Sequence, residues 1–326
     1  MRANFPITAA LGAVLATAMA SATWAAELKT GYSLPRDSHY GDAAEAMGQK
    51  LAELTDGKYT LKAFPANALG GEREMIEGAQ LGTVDVVITS TGPVGNFVPE
   101  TLITDIPFLF RDYAHAHAVL DGPIGQAMLD KFPEHDLIAL AWGENGFRNL
   151  TNSVRSVSTP ADAEGLKIRT MENPVHMEAF EGLGVLPTPM AFPELFTALQ
   201  QGTVDGQENP IGVILSAKFS EGQKYLSITN HVYSPALILL SPIVWDGLSD
   251  EEKSAFVEAA AVGAAAMRER AERDAESGIA TLESEGMEVT TEVDRAAFEQ
   301  ALEPVMADFA TKFGKENIDA IRDYAY

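Results

Sequence analysis

The chain contains no cysteine. This removes disulfides, thiol catalysis, Cys-ligated zinc and iron–sulfur centres. It also removes the residue that a lipid-anchored bacterial precursor needs at its processing site. Cations are scarce as well: 23 Lys plus Arg stand against 47 Asp plus Glu, a formal charge of −24 over 326 residues. No basic surface is left to neutralise a phosphate backbone, so nucleic acid is not expected as a partner. A Walker A loop, a GxGxxG fingerprint, a GxSxG elbow and an HExxH helix are missing too. His115 and His117 lie two residues apart, which on a helix turns them to different faces, and no carboxylate run accompanies them. Neither catalysis, nor a cofactor, nor a metal site is expected. There is no low-complexity stretch and no Gly/Ser linker, so closely coupled domains that exchange chain segments are expected.

With 46% hydrophobic and 21% charged residues the composition is that of a soluble globular protein, and at about 150 residues per domain the length suggests two domains. The first 26 residues stand apart. Arg2 precedes an uncharged apolar run from Ile7 to Ala20, and Ala20, Ala22, Ala25 and Ala26 offer small-residue cleavage sites. This reads as a secretory signal peptide, with cleavage after Ala25 or Ala26; a membrane anchor would need about 20 apolar residues. A bacterial periplasm fits best. Residues 27–326 then hold 22 basic and 47 acidic residues, a charge of −25.

Leu28–Ser33 reads as a strand, Ala43–Leu54 as a helix with Ala44, Met47, Leu51 and Leu54 on one face, and Tyr59–Phe64 as a second strand. A helix from Glu72 to about Leu81 and a strand Val84–Thr89 follow. The alternation signals an α/β fold with a parallel sheet. The segment Gly78–Asp85 is echoed by Ala198–Asp205: in both, a helix ends at Gly and the chain turns into a strand through Thr-Val-Asp. Two related α/β domains would produce this echo, as would chance. Thr159, Pro160 and Asp162 predict a short capped helix leading into a strand Leu166–Thr170. Pro235–Val244, the most apolar stretch, has the length of a buried strand. Ser249 and Glu252 form a capping box, and no proline follows before Gly286, so a helix of about 50 Å is expected to run along both domains.

Two of the few cations occupy notable positions. Arg148 lies in Glu144–Asn152, and Arg169 ends the strand Leu166–Thr170, just before Glu172 and Asn173. The carboxyl ends of strands in an open α/β sheet face the ligand crevice. An arginine there clamps a carboxylate or, in so acidic a chain, forms a structural salt bridge; spacing does not choose between the two.

Five segments, Gly70–Met75, Arg148–Asn152, Gly165–Arg169, Pro187–Phe192 and Gln200–Pro210, together resemble the solute-binding proteins of tripartite ATP-independent periplasmic (TRAP) transporters across nearly all of residues 27–326. The resemblance implies a two-domain periplasmic-binding-protein fold of the α/β class, with a ligand cleft between the domains and a long helix spanning both. The division expected is residues 27–146 plus 235–274 for the first domain and 147–234 plus 275–326 for the second. It implies a small organic anion as ligand and TRAP membrane permease subunits as partners. By similarity Arg169 is the main carboxylate clamp, Arg148 a second cationic contact, Asn209 a polar contact to the acid group and Phe192 a wall of the cleft. Ser33, Glu72, Thr89 and Ser90 fall where family members contact the rest of the ligand. Ser33 stands where sialic-acid-binding members carry Asn, and Ser90 where they carry Glu. Glu172 and Asn173 could accept hydrogen bonds from ligand hydroxyls, and Thr89 and Ser90 suit a compact polar ligand. A hydroxylated or sugar acid is therefore favoured over a plain dicarboxylate. A small sulfonate is the competing anion, and a ligand-sensing partner of a signalling receptor the competing role.

Overall fold

The structure, a computed structural model, describes residues 25–326; the expected leader peptide falls almost wholly outside the described residues. Nine strands form one sheet: β1 (Ala26–Tyr32), β2 (Tyr59–Phe64), β3 (Val86–Ser90), β4 (Ile138–Asn152), β5 (Lys167–Thr170), β6 (Leu186–Pro189), β7 (Gly206–Pro210), β8 (Tyr225–Leu240) and β9 (Glu288–Thr290). Their order is β2-β1-β3-β8-β4-β7-β5-β6, with β9 beside β8. The path reads the same from both ends. Parallel β2, β1 and β3 meet antiparallel β8; parallel β6, β5 and β7 meet antiparallel β4. The long strands β4 and β8 pair with each other and join the two halves. β8 begins well before the expected Pro235 and stops at Leu240, because Ser241 caps a helix opened by Pro242.

The sequence echo is an echo in structure. Helix α1 (His39–Leu54) is followed by α2 (Glu72–Leu81), which leads through Gly82 at φ 72° toward β3. The helix Phe192–Gln200 leads through Gly202 at φ 65° toward β7. Glycine suits both turns because it carries no side chain to oppose a left-handed backbone. In one copy the Lys29 amide donates to Asp85 Oδ2 at 2.7 Å; in the other the Lys167 amide donates to Asp205 Oδ2 at 2.8 Å. Both aspartates thus fasten the turn to a neighbouring strand. The strands start two residues later than the apolar pattern implies, since Val84 and Val204 still belong to the turns.

The long helix runs over Asp250–Ser284, 35 residues, which is about 52 Å at 1.5 Å per residue. Its capping box is formed: the Ser249 amide donates to Glu252 Oε2 at 2.8 Å, and the Glu252 amide to Ser249 Oγ at 3.3 Å. Phe256, Ala260 and Met267 belong to the same apolar cluster as Ala43, Met47 and Leu51 of α1. Further along, Gly278 lies against Ile211 and Leu215 of the second half. No helix among the described residues is long and apolar enough to cross a membrane.

One expected boundary is corrected. Residues 275–326 do not all stay with the second half. Phe298 packs with Leu150, Leu166 and Ile168 of that half, but Phe309, Ile318 and Ile321 enter the first-half cluster of Ile103, Leu109 and Phe110. The Arg111 guanidinium donates to the Tyr324 carbonyl at 2.9 Å, and His115 Nε2 lies 2.9 Å from the Ile321 carbonyl oxygen. The C-terminal helices return because the first half leaves apolar surface open that they cover. His115 serves this closure, while His117 turns the other way to the buried Glu144, at 2.7 Å.

Candidate functional site

Strand ends from both halves converge on a cleft with an inner and an outer space. Ser33, Tyr40, Glu72, Ser90, Asn145, Arg169, Met171, Phe192 and Asn209 are among the residues lining the inner one, about 260 Å³ of space. Glu72, Arg169, Met171 and Phe192 continue into the outer one, joined there by Arg73, Glu74 and Glu172. The halves touch across this cleft. Asn96 Nδ2 donates to the Glu172 carbonyl at 2.6 Å, Arg73 Nε sits 3.6 Å from Glu172 Oε2, and Ser90 Oγ lies 3.4 Å from Met171 Sδ.

Arg169 stands near the carboxyl end of β5, held between parallel β6 and β7. Its Nε and Nη2 donate to the Met190 carbonyl at 2.9 and 2.7 Å, so the Pro187–Phe192 segment fixes the guanidinium from behind. Nη1 is buried and has no hydrogen-bond partner, and Arg169 meets no carboxylate among the described residues. Burial pushes its pKa down to about 10, with Glu208 opposing and Arg148 adding to the shift. It is charged at neutral pH. The Phe192 ring lies 6.0 Å from its Cζ and flanks the charge with an apolar wall.

Arg148 is paired with Glu208: Nε pairs with Glu208 Oε2, and Nη2 donates to Glu208 Oε1 at 2.8 Å and to the Glu208 carbonyl at 2.6 Å. Its Nη1, like that of Arg169, is buried with no hydrogen-bond partner among the described residues. His231 Nε2 lies 3.2 Å from the same carboxylate. Burial would raise the Glu208 pKa, but the Arg148 charge and the hydrogen bonds of His231 and Arg148 overcome it and hold the carboxyl well below its ordinary range. Arg148 Nη2 also donates to Asn209 Oδ1 at 3.1 Å, and Asn209 Nδ2 donates to Gln207 Oε1. Asn209, at the end of β7, therefore lines the cleft in a fixed orientation with one amide hydrogen to spare.

Glu72 opens α2 and is anchored by Thr89 Oγ1 at 2.9 Å and the Ser90 amide at 3.3 Å, both donating to Oε1. Thr89 is fully buried beneath it. Its hydroxyl orients Glu72, which corrects its expected place as a ligand contact. Asn173 is corrected as well. It caps the helix Pro174–Gly182, its Oδ1 accepting from the Val175 and His176 amides at 2.9 and 3.1 Å. Its Nδ2 donates to Asp105 Oδ2 at 2.9 Å and to the Gly92 carbonyl at 3.2 Å. With both amide groups engaged, Asn173 clasps the two halves and has no hydrogen bond left for a ligand. Glu172 points into the outer space and is half-exposed.

Glu208, Tyr40, Asn145 and Met171 were not singled out from the sequence. A carboxylate inside the wholly buried segment Gly206–Pro210 was the available signal for Glu208, because a buried charge requires a partner. The others come from distant strands and helices, and nothing local marks them.

A two-lobed sheet closing on a buried cation, with cleft walls drawn from both lobes, defines a solute-binding protein that encloses a small anion. Residues 30–312 match the family described as bacterial extracellular solute-binding protein, family 7 (DctP), and the chain belongs to this family. It is 39% identical to the 2,3-diketo-L-gulonate-binding periplasmic protein YiaO of Escherichia coli over 308 residues, 94% of each chain. A TRAP periplasmic solute-binding protein from Polaromonas sp. JS666, solved with D-erythronate bound, superposes with a TM-score of 0.91 at 57% identity, covering 92% of this chain and 99% of that one. Another from Bordetella bronchispeptica, with density assigned to pantoate, gives 0.91 at 58% identity and the same coverage. The chain is a TRAP-type solute-binding protein, and its family is one of transport rather than catalysis.

Proposed function

We propose that the protein works in the periplasm as the solute-binding subunit of a TRAP transporter. It captures a short hydroxylated monocarboxylate and delivers it to the membrane permease. The observation that carries this reading is Arg169: a buried guanidinium with one nitrogen unpartnered, at the seam of two lobes that close over it. An anion that enters is bound as a charge pair out of water, where screening is weak. D-Erythronate and pantoate, the molecules in the two similar structures, each carry one carboxylate on a four-carbon chain with hydroxyls at C2 and C4. The leader read in the first 26 residues supports export.

Thermal shift and calorimetry against four-carbon hydroxy acids, longer sugar acids, C4-dicarboxylates and short sulfonates test the reading. A ligand at 100 times its Kd adds about 2.7 kcal/mol to stability, which raises Tm by a few degrees. Binding of a hydroxy acid that disappears in Arg169→Ala is the expected result. Silence to every carboxylate, or a sulfonate bound more tightly than any of them, would overturn it.

A further inference from the structure

The charges that face the inner cleft are few enough to follow one by one. Arg169 and Glu72 line it from opposite lobes. Arg169 feels the charge of Glu72, yet the two do not pair: Arg169 donates to the Met190 carbonyl, and Glu72 accepts from Thr89 and Ser90 on Oε1. Arg148, the other buried cation nearby, is neutralised by Glu208. At the mouth, Arg73 is engaged with Glu172 at 3.6 Å and Glu77 at 3.9 Å, and Glu74 stands beside it. Of these two buried arginines Arg169 is the one that lines the inner space without a carboxylate partner, and the Glu72 carboxylate lines the same space from the other lobe.

We infer that Glu72 is the residue that excludes dicarboxylates. An ionised carboxylate is an acceptor only, so Glu72 Oε2 takes a hydroxyl donor and opposes a second carboxylate. Specificity built from such a repulsive element discriminates between ligands of equal size. The inference rests on the hydroxy-acid reading above and sharpens it: the far end of the ligand must donate a hydrogen bond and carry no charge. Thr89, buried below, and Ser90 hold the carboxylate in place, which prevents it from swinging away.

D-Erythronate and meso-tartrate make the matched probes. They share the four-carbon chain and the hydroxyls at C2 and C3, and differ only at C4, CH2OH against COO−. By calorimetry at pH 8 the wild-type protein is expected to prefer erythronate by at least ~100-fold, in keeping with the cost of like-charge juxtaposition. In Glu72→Gln, whose amide donates to a carboxylate, that preference falls at least ~tenfold. Glu72→Ala, which removes the charge without adding a donor, moves the ratio in the same direction and serves if the Gln variant fails to fold. An unchanged ratio in a folded variant, or equal wild-type affinity for both probes, overturns the role of Glu72 and leaves the hydroxy-acid reading standing. If the wild-type protein binds neither probe nor any other hydroxy acid, that reading fails and the inference with it.

Discussion

Arg148 and Arg169 are equally buried, at 0% and 1% exposure, and they sit on strands of the same half-sheet. Their surroundings are opposite. Arg148 is bound by the Glu208 carboxylate, the Glu208 carbonyl and Asn209, which leave Nη1 alone without a partner. Arg169 has one backbone carbonyl for company. Burial alone therefore does not reveal what a charge is for. A cation whose countercharge is built into the chain contributes to the fold, and one without a countercharge is prepared to receive it from outside, at a standing desolvation cost.

The comparison breaks most visibly at Glu208. Glu208→Gln leaves Arg148 buried without its countercharge, and removing one member of a buried pair costs about 3 to 5 kcal/mol. Urea denaturation should show that loss; a change within error would mean that Arg148 is not committed to the fold. Arg169→Ala gives the reverse pattern. Binding of a hydroxy acid weakens by about 2 to 5 kcal/mol by calorimetry, while the unfolding free energy of the ligand-free protein stays constant or rises, because an uncompensated charge has been removed. A large drop in stability there would make the two arginines alike.

Asn209 touches both environments, accepting from Arg148 and lining the cleft. Asn209→Ala should cost about 1 to 3 kcal/mol of binding, the usual penalty for one buried polar partner lost. Wild-type affinity would place it wholly on the structural side.

His39 extends the same question to pH. It is fully buried with Nε2 3.2 Å from Asn145 Oδ1 and no partner at Nδ1 among the described residues, and burial lowers its pKa to about 4, against a rise from the Asn145 hydrogen bond. Between pH 6.5 and 4 the unfolded chain binds this proton and the folded one does not, so stability falls as pH falls through that window. His39→Gln should lessen the slope there by up to about 1.4 kcal/mol per pH unit, and denaturation at several pH values reads it directly. An identical slope would mean that His39 takes up its proton without cost in the folded state.

Much of the architecture was legible because its signals are local. The Ser249–Glu252 box, the proline-free stretch after it and the Gly-Thr-Val-Asp echo each depend on residues within a few positions of one another. Arg169 in Gly165–Arg169 and Phe192 after Pro187–Met190, each read from a segment that carried its own mark, line the cleft. Thr89 was read as a ligand contact by resemblance, and Asn173 because it follows Arg169. Their true partners, Glu72 seventeen residues away and Asp105 sixty-eight residues away, turn both inward.

By itself, then, the sequence determined the export leader as an expectation, the α/β alternation, the long capped helix and the identity of the scarce cations, since hydrophobic period, capping chemistry and composition act over short range. Only the tertiary structure decided which arginine has a carboxylate partner within the chain and which has none among the described residues. It also sent the C-terminal helices back to the first half. Both outcomes depend on contacts between segments far apart in the chain: Glu208 reaches Arg148 because β4 and β7 are neighbours in the sheet, and among the described residues no carboxylate comes close enough to pair with Arg169.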